Sequence, residues 1–454
     1  MTLHSIRKYR SKAVLYGVLC LCGYAMYAQN PLITDQFTAD PSARVFGDRV
    51  YVYPSHDIRC DDKEHLRPKW FCMEDYHVFS SENLTDWTDH GVIVSQEEVP
   101  WADATAYSMW APDCIEKDGK YFFYFPAKAR DTTLNGKGFS IGVAVADSPE
   151  GPFVPQPLPI RGVRGIDPNV MIDKDGQAYL YWSEKHIYGA KLRDNMLELA
   201  SEPKILRDLP EEGLKEGPFV FESAGTYYMT YPHVAGKTER LEYASGKDPL
   251  GPFTYRGVIM DESPDGCWTN HQSVVNFRDQ WYLFYHHNDL SPGFDKNRAI
   301  RADSLFFNAD GSIQKVYPTL RGIGRTQSLG PIHPDRYSDK SKTGVSVTFL
   351  NQADTFAGWK TIMDKKEGWI RYNSVDFGKE TPGYAVLRVR SGAGAILQLR
   401  PGNGNVPVLC DARIPKTETW NTVKVPLHRT ITGIHDLVLE LLEGTAEIDW
   451  MKFE

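Results

Sequence analysis

The chain has 454 residues, 12% of them aromatic and 24% charged, with 37 Gly, 29 Pro and a formal net charge of -8. That length can bury at least one large core and suggests two or three domains, and its wealth of turn formers and aromatics favours many short strands over long helices. The acidic balance, with no basic cluster beyond the N-terminus, argues against a nucleic-acid partner.

Taken in order, the chain opens with Arg7, Lys8, Arg10 and Lys12 ahead of an apolar run over 13–27, with small residues at Gly23, Ala25 and Ala28. This pattern reads as a signal peptide over residues 1–28, cut after Ala28, and so predicts a secreted or periplasmic protein. The run is too short for a membrane span, so no stable insertion is expected after its removal. Cys20 or Cys22 offers a lipid-anchored alternative. Five cysteines remain beyond it: Cys60, Cys72, Cys114, Cys267 and Cys410. An odd number leaves at least one unpaired, and no C-x-x-C spacing suggests zinc. Cys60 and Cys72 flank one long charged loop, where they could form a bridge.

A plan then recurs five times: a polar or ionisable residue, a short apolar run, a polar turn and an aromatic strand. The copies are DPSARVFGDRVYVYPS (40–55), APDCIEKDGKYFFYFPA (111–127), DPNVMIDKDGQAYLYW (167–182), EGPFVFESAGTYYMTYP (216–232) and HQSVVNFRDQWYLFYHH (271–287). Each reads as a β-hairpin, and the spacing is that of propeller blades. Near-copies ADSPEGPF (146–153) and GKDPLGPF (246–253) support the repeat independently. The insertion over 56–101 begins as a surface loop able to overhang a site. NADGSIQKV (308–316) reads as one more hairpin, which together with the N-terminal strand could complete a blade and close the ring.

The polar stretch after residue 335 reads as a linker over 336–344, and the short alternating strands over 345–454 as a jelly-roll-like β-sandwich. The expected fold is therefore all-β: a five-bladed β-propeller over 29–335 followed by the sandwich.

Propellers set the first strand of each blade around a central channel, so the leading residues Asp40, Asp113, Asp167, Glu216 and His271 should converge. One acidic residue before a proline is an ordinary turn starter. Asp40-Pro41, Asp167-Pro168 and Glu216-Gly217-Pro218 at one repeat position call for more than a turn. Carboxylates paired across a pocket hydrolyse glycosides, one acid protonating the leaving oxygen and one base activating water. Glu216 fits the acid, Asp40 the base, and Asp167 a neighbour that raises the pKa of Glu216 by like-charge repulsion.

The motifs ADPS (39–42), WAPD (110–113), GIDPNV (165–170) and KEGPFVF (215–221) resemble glycoside hydrolase family 43. The resemblance implies a five-bladed propeller, inversion of configuration, and Asp40, Asp167 and Glu216 as base, pKa modulator and acid. It also implies that His271 sits in the channel beneath the sugar and faces a hydrated calcium ion, acting through water because a hard cation prefers oxygen. Arg298 resembles a position contacting substrate and acid, with Arg301 its rival. Trp110 is either a stacking wall for sugar or core. Trp70, Phe71 and His56 are scaffold or pocket-shaping.

The C-terminal segments EGWIRYNSVDFG (367–378), TETWNTVKVPL (417–427) and IDWMKF (448–453) resemble carbohydrate-binding module family 6. This resemblance implies sugar binding by aromatics, with Trp420 the first candidate and Trp369 and Tyr372 either binders or core. It also implies a structural calcium site at Gln352, Asp354 and Asp449. No organic cofactor is implied. The expected partner is a plant cell-wall poly- or oligosaccharide carrying α-L-arabinofuranosyl or β-xylosyl units, and the protein is expected to be monomeric. Arabinanase, exo-galactosidase and non-catalytic binding readings remain the alternatives.

Overall fold

In the computed structural model, residues 30–454 are described apart from 208, 211, 265 and 403–406. The segment expected to be a signal peptide, with Cys20 and Cys22, lies outside them. Five antiparallel sheets form the propeller. Blade 1 is β1 (Ala39–Phe46), β2 (Arg49–Ser55), β3 (Asp75–Ser81) and β4 (Thr88–Ser95). Blade 2 is β5 (Asp113–Lys117), β6 (Lys120–Lys128), β7 (Phe139–Ala146) and β8 (Val154–Pro155). Blade 3 is β9 (Ile166–Ile172), β10 (Ala178–Glu184), β11 (His186–Lys191) and β12 (Lys204–Ile205). Blade 4 is β13 (Phe219–Ser223), β14 (Thr226–Val234), β15 (Glu239–Gly246) and β16 (Thr254–Met260). Blade 5 has three strands, β17 (Ser273–Phe277), β18 (Gln280–His287) and β19 (Ala299–Leu305).

Each hairpin of the sequence repeat is thus the inner pair of one blade. The aromatic second strands fill the spaces between blades: Phe123 and Phe125 pack with Tyr53 and Tyr76 of blade 1, and Tyr181 packs with Tyr231 of blade 4. Burying such rings contributes about 2–3 kcal/mol each before entropy, which makes the inter-blade seams the core.

Side chains at the head of each inner strand tie one blade to the next. Asp113 accepts from Ser42 and Arg44 of blade 1, and from Asn169 Nδ2 (3.0 Å) and the Val170 amide (2.7 Å) of blade 3. Asn169 Oδ1 accepts from the Val220 amide of blade 4 at 2.8 Å. Gln272 donates to the Gly217 carbonyl at 3.0 Å, and Ser273 Oγ to the Pro41 carbonyl at 2.6 Å, which closes the circle. Ring closure also uses the N-terminal segment: the Leu32 amide donates to Ile300 and the Thr38 amide to Arg298. The hairpin over 308–316 takes no part in that closure; Val316 donates to Ile259, and the hairpin packs against blades 4 and 5.

The sandwich stacks two five-stranded sheets. One holds, in order, β20 (Asp339–Lys340), β23 (Trp369–Asp376), β28 (Ile434–Gly444), β25 (Ala395–Pro401) and β26 (Cys410–Ile414). The other holds β21 (Val345–Asn351), β22 (Asp354–Met363), β29 (Ala446–Phe453), β24 (Tyr384–Ser391) and β27 (Thr417–Pro426). The expected linker is not a free tether. Gln327 already bridges to Asp376 and Ile332 to Met451, Arg336 is buried, and β20 within 336–344 pairs with β23. Backbone amides there find partners in the sandwich, so the polar composition reflects strand edges rather than mobility.

Candidate active site

The three acidic residues meet in a cavity of about 170 Å³, lined by Asp40, Asp167, Glu216, His271 and Arg298 together with Trp70, Phe71, Trp110, Glu239 and Trp268. A backbone device aims them there. Pairing slips between Ala39 and Ser42 of β1, and again between Tyr181 and Ser183 where β10 pairs with β9. At these bulges Asp40 and Asp167 have φ of 46° and 56°. A bulge re-aims a side chain, and a left-handed φ in a non-glycine residue ahead of proline is strained. In blade 4 the left-handed position falls to Gly217 (φ 54°), and Glu216 stands one residue earlier. There a Cβ would meet Pro232 Cγ at 2.9 Å and His271 Cε1 at 3.0 Å, so glycine is required on two counts.

Asp40 is held from every side. Its Oδ1 accepts from Arg298 Nη1 at 2.8 Å and its Oδ2 from Ser55 Oγ at 2.7 Å. Its amide donates to His286 Nδ1 at 3.1 Å, so the proton of that buried imidazole sits on Nε2, 3.0 Å from Thr269 Oγ1. Burial opposes charge on Asp40, but Arg298, aided by the Ser55 hydrogen bond, wins and holds its carboxyl at about 2. Arg298 is itself fixed by Asp57, which accepts from Nε at 2.9 Å and Nη2 at 2.9 Å. A bidentate pair of this kind locks the guanidinium plane. Arg301, the rival, is turned to Asp289 instead.

On the opposite side the balance reverses. Burial pushes Asp167 well up, reinforced by the charges of Glu216 and Asp40. Burial also raises Glu216. Burial and the neighbouring Glu216 raise Glu239 well above its ordinary value. Glu216 and Glu239 face the same cavity, and their proximity raises Glu239 and lowers Glu216, as when one proton is shared between two carboxyl groups. These three acids titrate together, and near neutrality the group retains protons. The pocket thus holds an ionised carboxylate facing protonated ones, the arrangement that acid and base hydrolysis requires.

His271 lies 3.8 Å from Asp40 Oδ1, and burial lowers its pKa, so it is neutral. Asp40 is committed to Arg298 and Ser55, and Asp113 to the inter-blade ties, so neither carboxylate is free to bind a cation directly there. A cation beside His271 fits only with its own water shell. Trp110 lines the cavity, packed on Phe139 at 4.6 Å and Phe71 at 5.8 Å, a wall rather than core. Trp70 and Phe71 line it too, whereas His56 points to Asp75.

The sandwich candidates do not assemble. Gln352 and Asp354 sit at the β21–β22 turn, whereas Asp449 lies beside Ile448, the partner of Thr361. Thr361 lies seven residues along the strand from Asp354, about 23 Å in an extended strand. Asp449 is instead ion-paired with Arg388, so the expected calcium site is not formed by these three. Among the described residues, the one cluster with three convergent ligand atoms is His56, Asp75 and His77. Trp420 lies on strand β27, not on a loop, and the guanidinium groups of Arg388 and Arg390 approach its ring at 5.3 Å and 5.1 Å. Tyr372 is core, its hydroxyl donating to the His333 carbonyl.

Sequence reasoning missed Glu239, Ser55, Asp57, Thr269 and His286. None heads a repeat. The one signal available was the place of Ser55, Glu239 and His286 at or near strand ends; Asp57 and Thr269 lie in loops.

The comparisons decide the family. The model described as "Glycosyl hydrolases family 43" matches residues 28–313, and "Carbohydrate binding module (family 6)" matches 340–454. The chain belongs to glycosyl hydrolase family 43. Its family 43 relatives include xylosidase/arabinosidase 43A of Humicola insolens, 39% identical across 63% of this chain and 99% of the relative. The arabinoxylan arabinofuranohydrolase of Bacillus subtilis is 27% identical and matches 96% of this chain and 95% of its own length. Among solved structures, a compost-metagenome β-xylosidase/α-arabinofuranosidase of family 43, in complex with xylotriose, superposes with a TM-score of 0.57 at 38% identity, covering 64% of this chain and 98% of that one. The family assignment carries glycosidic hydrolysis with it, and the propeller-plus-sandwich architecture agrees.

Proposed function

We propose that this family 43 enzyme removes single α-L-arabinofuranosyl or β-xylosyl units from hemicellulose with inversion. The observation that carries the reading is the pairing of a carboxylate held at about 2 by Arg298, Asp40, with the raised carboxyl of Glu216 in one small cavity. Asp40 orients and deprotonates a water on one face of the sugar, while Glu216 gives its proton to the departing oxygen. Asp167, through its 3.0 Å bond from the Gly217 amide, fixes the backbone beside Glu216, while burial and the charge of Asp40 keep the acid protonated. The small, aromatic-walled volume suits one sugar ring, which favours exo action. Trp110 and Phe71 supply apolar faces for that ring, and His271 its polar floor. A hydrated calcium ion beside His271 belongs to this reading as an outer partner of the imidazole.

The names of most relatives support the substrate class, since they are xylosidases and arabinofuranosidases, with one β-D-galactofuranosidase among them. Export belongs to the proposal as well. The Cys60–Cys72 disulfide supports an oxidising compartment, and among the described residues no helix is long and apolar enough to cross a membrane. The test is turnover of aryl α-L-arabinofuranoside and aryl β-xyloside with proton NMR of the first-formed anomer. Release of the inverted sugar is expected; a retained anomer, or no turnover of either glycoside, contradicts the reading.

A further inference from the structure

The cluster of His56, Asp75 and His77 lies apart from the residues that line the catalytic cavity, at the neck of the loop over 56–74. Strand geometry brings its members together. Asp75 and His77 are two apart on β3 and so share a face, and His56 directly follows β2, whose Ser55 pairs with Tyr76. His56 Nδ1 lies 2.6 Å from Asp75 Oδ1, and the His56 and His77 rings meet edge to face with centroids 4.9 Å apart. One ligand atom from each of the three lies within 4.8 Å of the others. The side chains are sheltered but reachable, with exposures of 19% for His56 and 15% for both Asp75 and His77. Asp89 of β4 supports the cluster from behind, its Oδ1 3.0 Å from His77 Nδ1. Gln36 Nε2 in turn donates to Asp89 Oδ2 at 3.0 Å.

Two separate ion pairs, His56 with Asp75 and His77 with Asp89, need no convergence of the two imidazoles, whereas a shared cation does. We propose that His56, Asp75 and His77 bind one divalent transition ion of the Zn²⁺ class, and that this ion clasps the neck of the 56–74 loop. The donor set selects the ion. Two imidazoles and one carboxylate suit Zn²⁺ with water in the fourth place, while a hard ion such as Ca²⁺ asks for about six or more oxygens. Bonds of ~2.0–2.2 Å require each ligand atom to move inward by less than about 1 Å, within the reach of side-chain rotation. Asp89 fills the outer role that a metal-binding histidine calls for, holding His77 by Nδ1 and leaving Nε2 to the ion. The position in the chain supplies the consequence. His56 opens the loop and Asp75 follows it, and between them the loop carries the Cys60–Cys72 disulfide and brings Trp70 and Phe71 to the catalytic cavity. The residue after His56 is Asp57, the partner of Arg298. An ion at the neck therefore steadies the loop at the point where it leaves the sheet.

The test is a titration of the full chain, stripped by chelator and then kept in excess Ca²⁺, with Co²⁺ as the visible probe. One Co²⁺ per chain should bind with the d–d absorption of a nitrogen-ligated site of low coordination number, and Zn²⁺ should displace it. His56→Ala and His77→Ala should each lose the band, and Asp89→Asn should weaken Co²⁺ binding about ten-fold. His271→Ala, altered in the channel instead, should keep the band. Circular dichroism confirms that each variant is folded. The clasp is read by trypsin, for which the loop offers the exposed Arg59 and Lys69. Zn²⁺ should slow cleavage there about three-fold or more in the wild type and leave the rate for His77→Ala unchanged. A wild type without the Co²⁺ band, a band that survives in both folded alanine variants, or a band lost in His271→Ala overturns the site. Loop cleavage that ignores Zn²⁺ in the wild type overturns the clasp.

Discussion

Asp40 and Asp167 stand on the same backbone device, a bulge with a left-handed aspartate before proline, yet they carry opposite charge states. The difference lies in what faces them. Asp40 has Arg298 at 2.8 Å and Ser55 at 2.7 Å, whereas Asp167 has a backbone amide and two other acids, Glu216 and Glu239. Burial alone would neutralise both, and one guanidinium reverses the outcome on one side only. Repetition of a blade therefore supplies geometry; the cation supplied to one blade creates the acid–base asymmetry. Asp113 makes the same point from the other direction. It heads blade 2, but Arg44 and Asn169 consume its lone pairs, so it joins blades rather than reacting.

Removing the cation should have the largest effect. Arg298→Met leaves Asp40 and the buried Asp57 without their partner, which costs about 3–5 kcal/mol of stability. It should also raise the pKa of Asp40, moving the acidic limb of kcat upward and lowering activity by about two orders of magnitude. The sign follows from linkage: the depressed Asp40 contributes stability above its unfolded pKa, lost in the wild type as pH falls from about 4 to about 2. A variant whose unfolding midpoint and acidic limb match the wild type would break the contrast between the two aspartates.

Glu239→Gln tests the other side with a smaller effect. Its amide can donate to ionised Glu216, so the pKa of Glu216 should fall and the alkaline limb should move about one unit towards acid. Stability should move the opposite way. An acid held protonated in the folded state weakens folding as pH rises through its raised pKa, so the variant should unfold at a higher temperature near neutrality. An unmoved alkaline limb would mean that Glu216 owes its proton to other neighbours. The smallest effect is expected in the sandwich, where Trp420→Ala should change kcat/KM on xylotriose by less than about two-fold. A large loss there would return sugar recognition to the outer face of β27.

The repeats, the domain order and the acidic trio were legible in the sequence because all three are set by local pattern: alternation, turn residues, and an acid before Pro or Gly-Pro. What was not legible depends on strands meeting across the ring. Ser55 ends β2, Glu239 begins β15 and His286 sits near the end of β18, positions that no period marks as facing the channel. Asp57 was hidden inside a loop, although its neighbour His56 was noticed. In the sandwich, resemblance pointed to Gln352, Asp354 and Asp449, but strand register sets the turn far from β29, and Arg388 takes the aspartate. Pairing across the fold, not residue type, decided each of these cases.

The central claim is that Asp40 is the ionised base and Glu216 the protonated acid. The most direct measurement is the pH dependence of kcat for Glu216→Ala and Asp40→Ala on 2,4-dinitrophenyl β-xyloside, a substrate whose leaving group needs no proton. The account predicts that Glu216→Ala retains substantial turnover but loses the alkaline limb, while Asp40→Ala falls by about 10²–10⁴-fold at every pH. An alkaline limb that survives in Glu216→Ala, or near-normal turnover by Asp40→Ala, would contradict it.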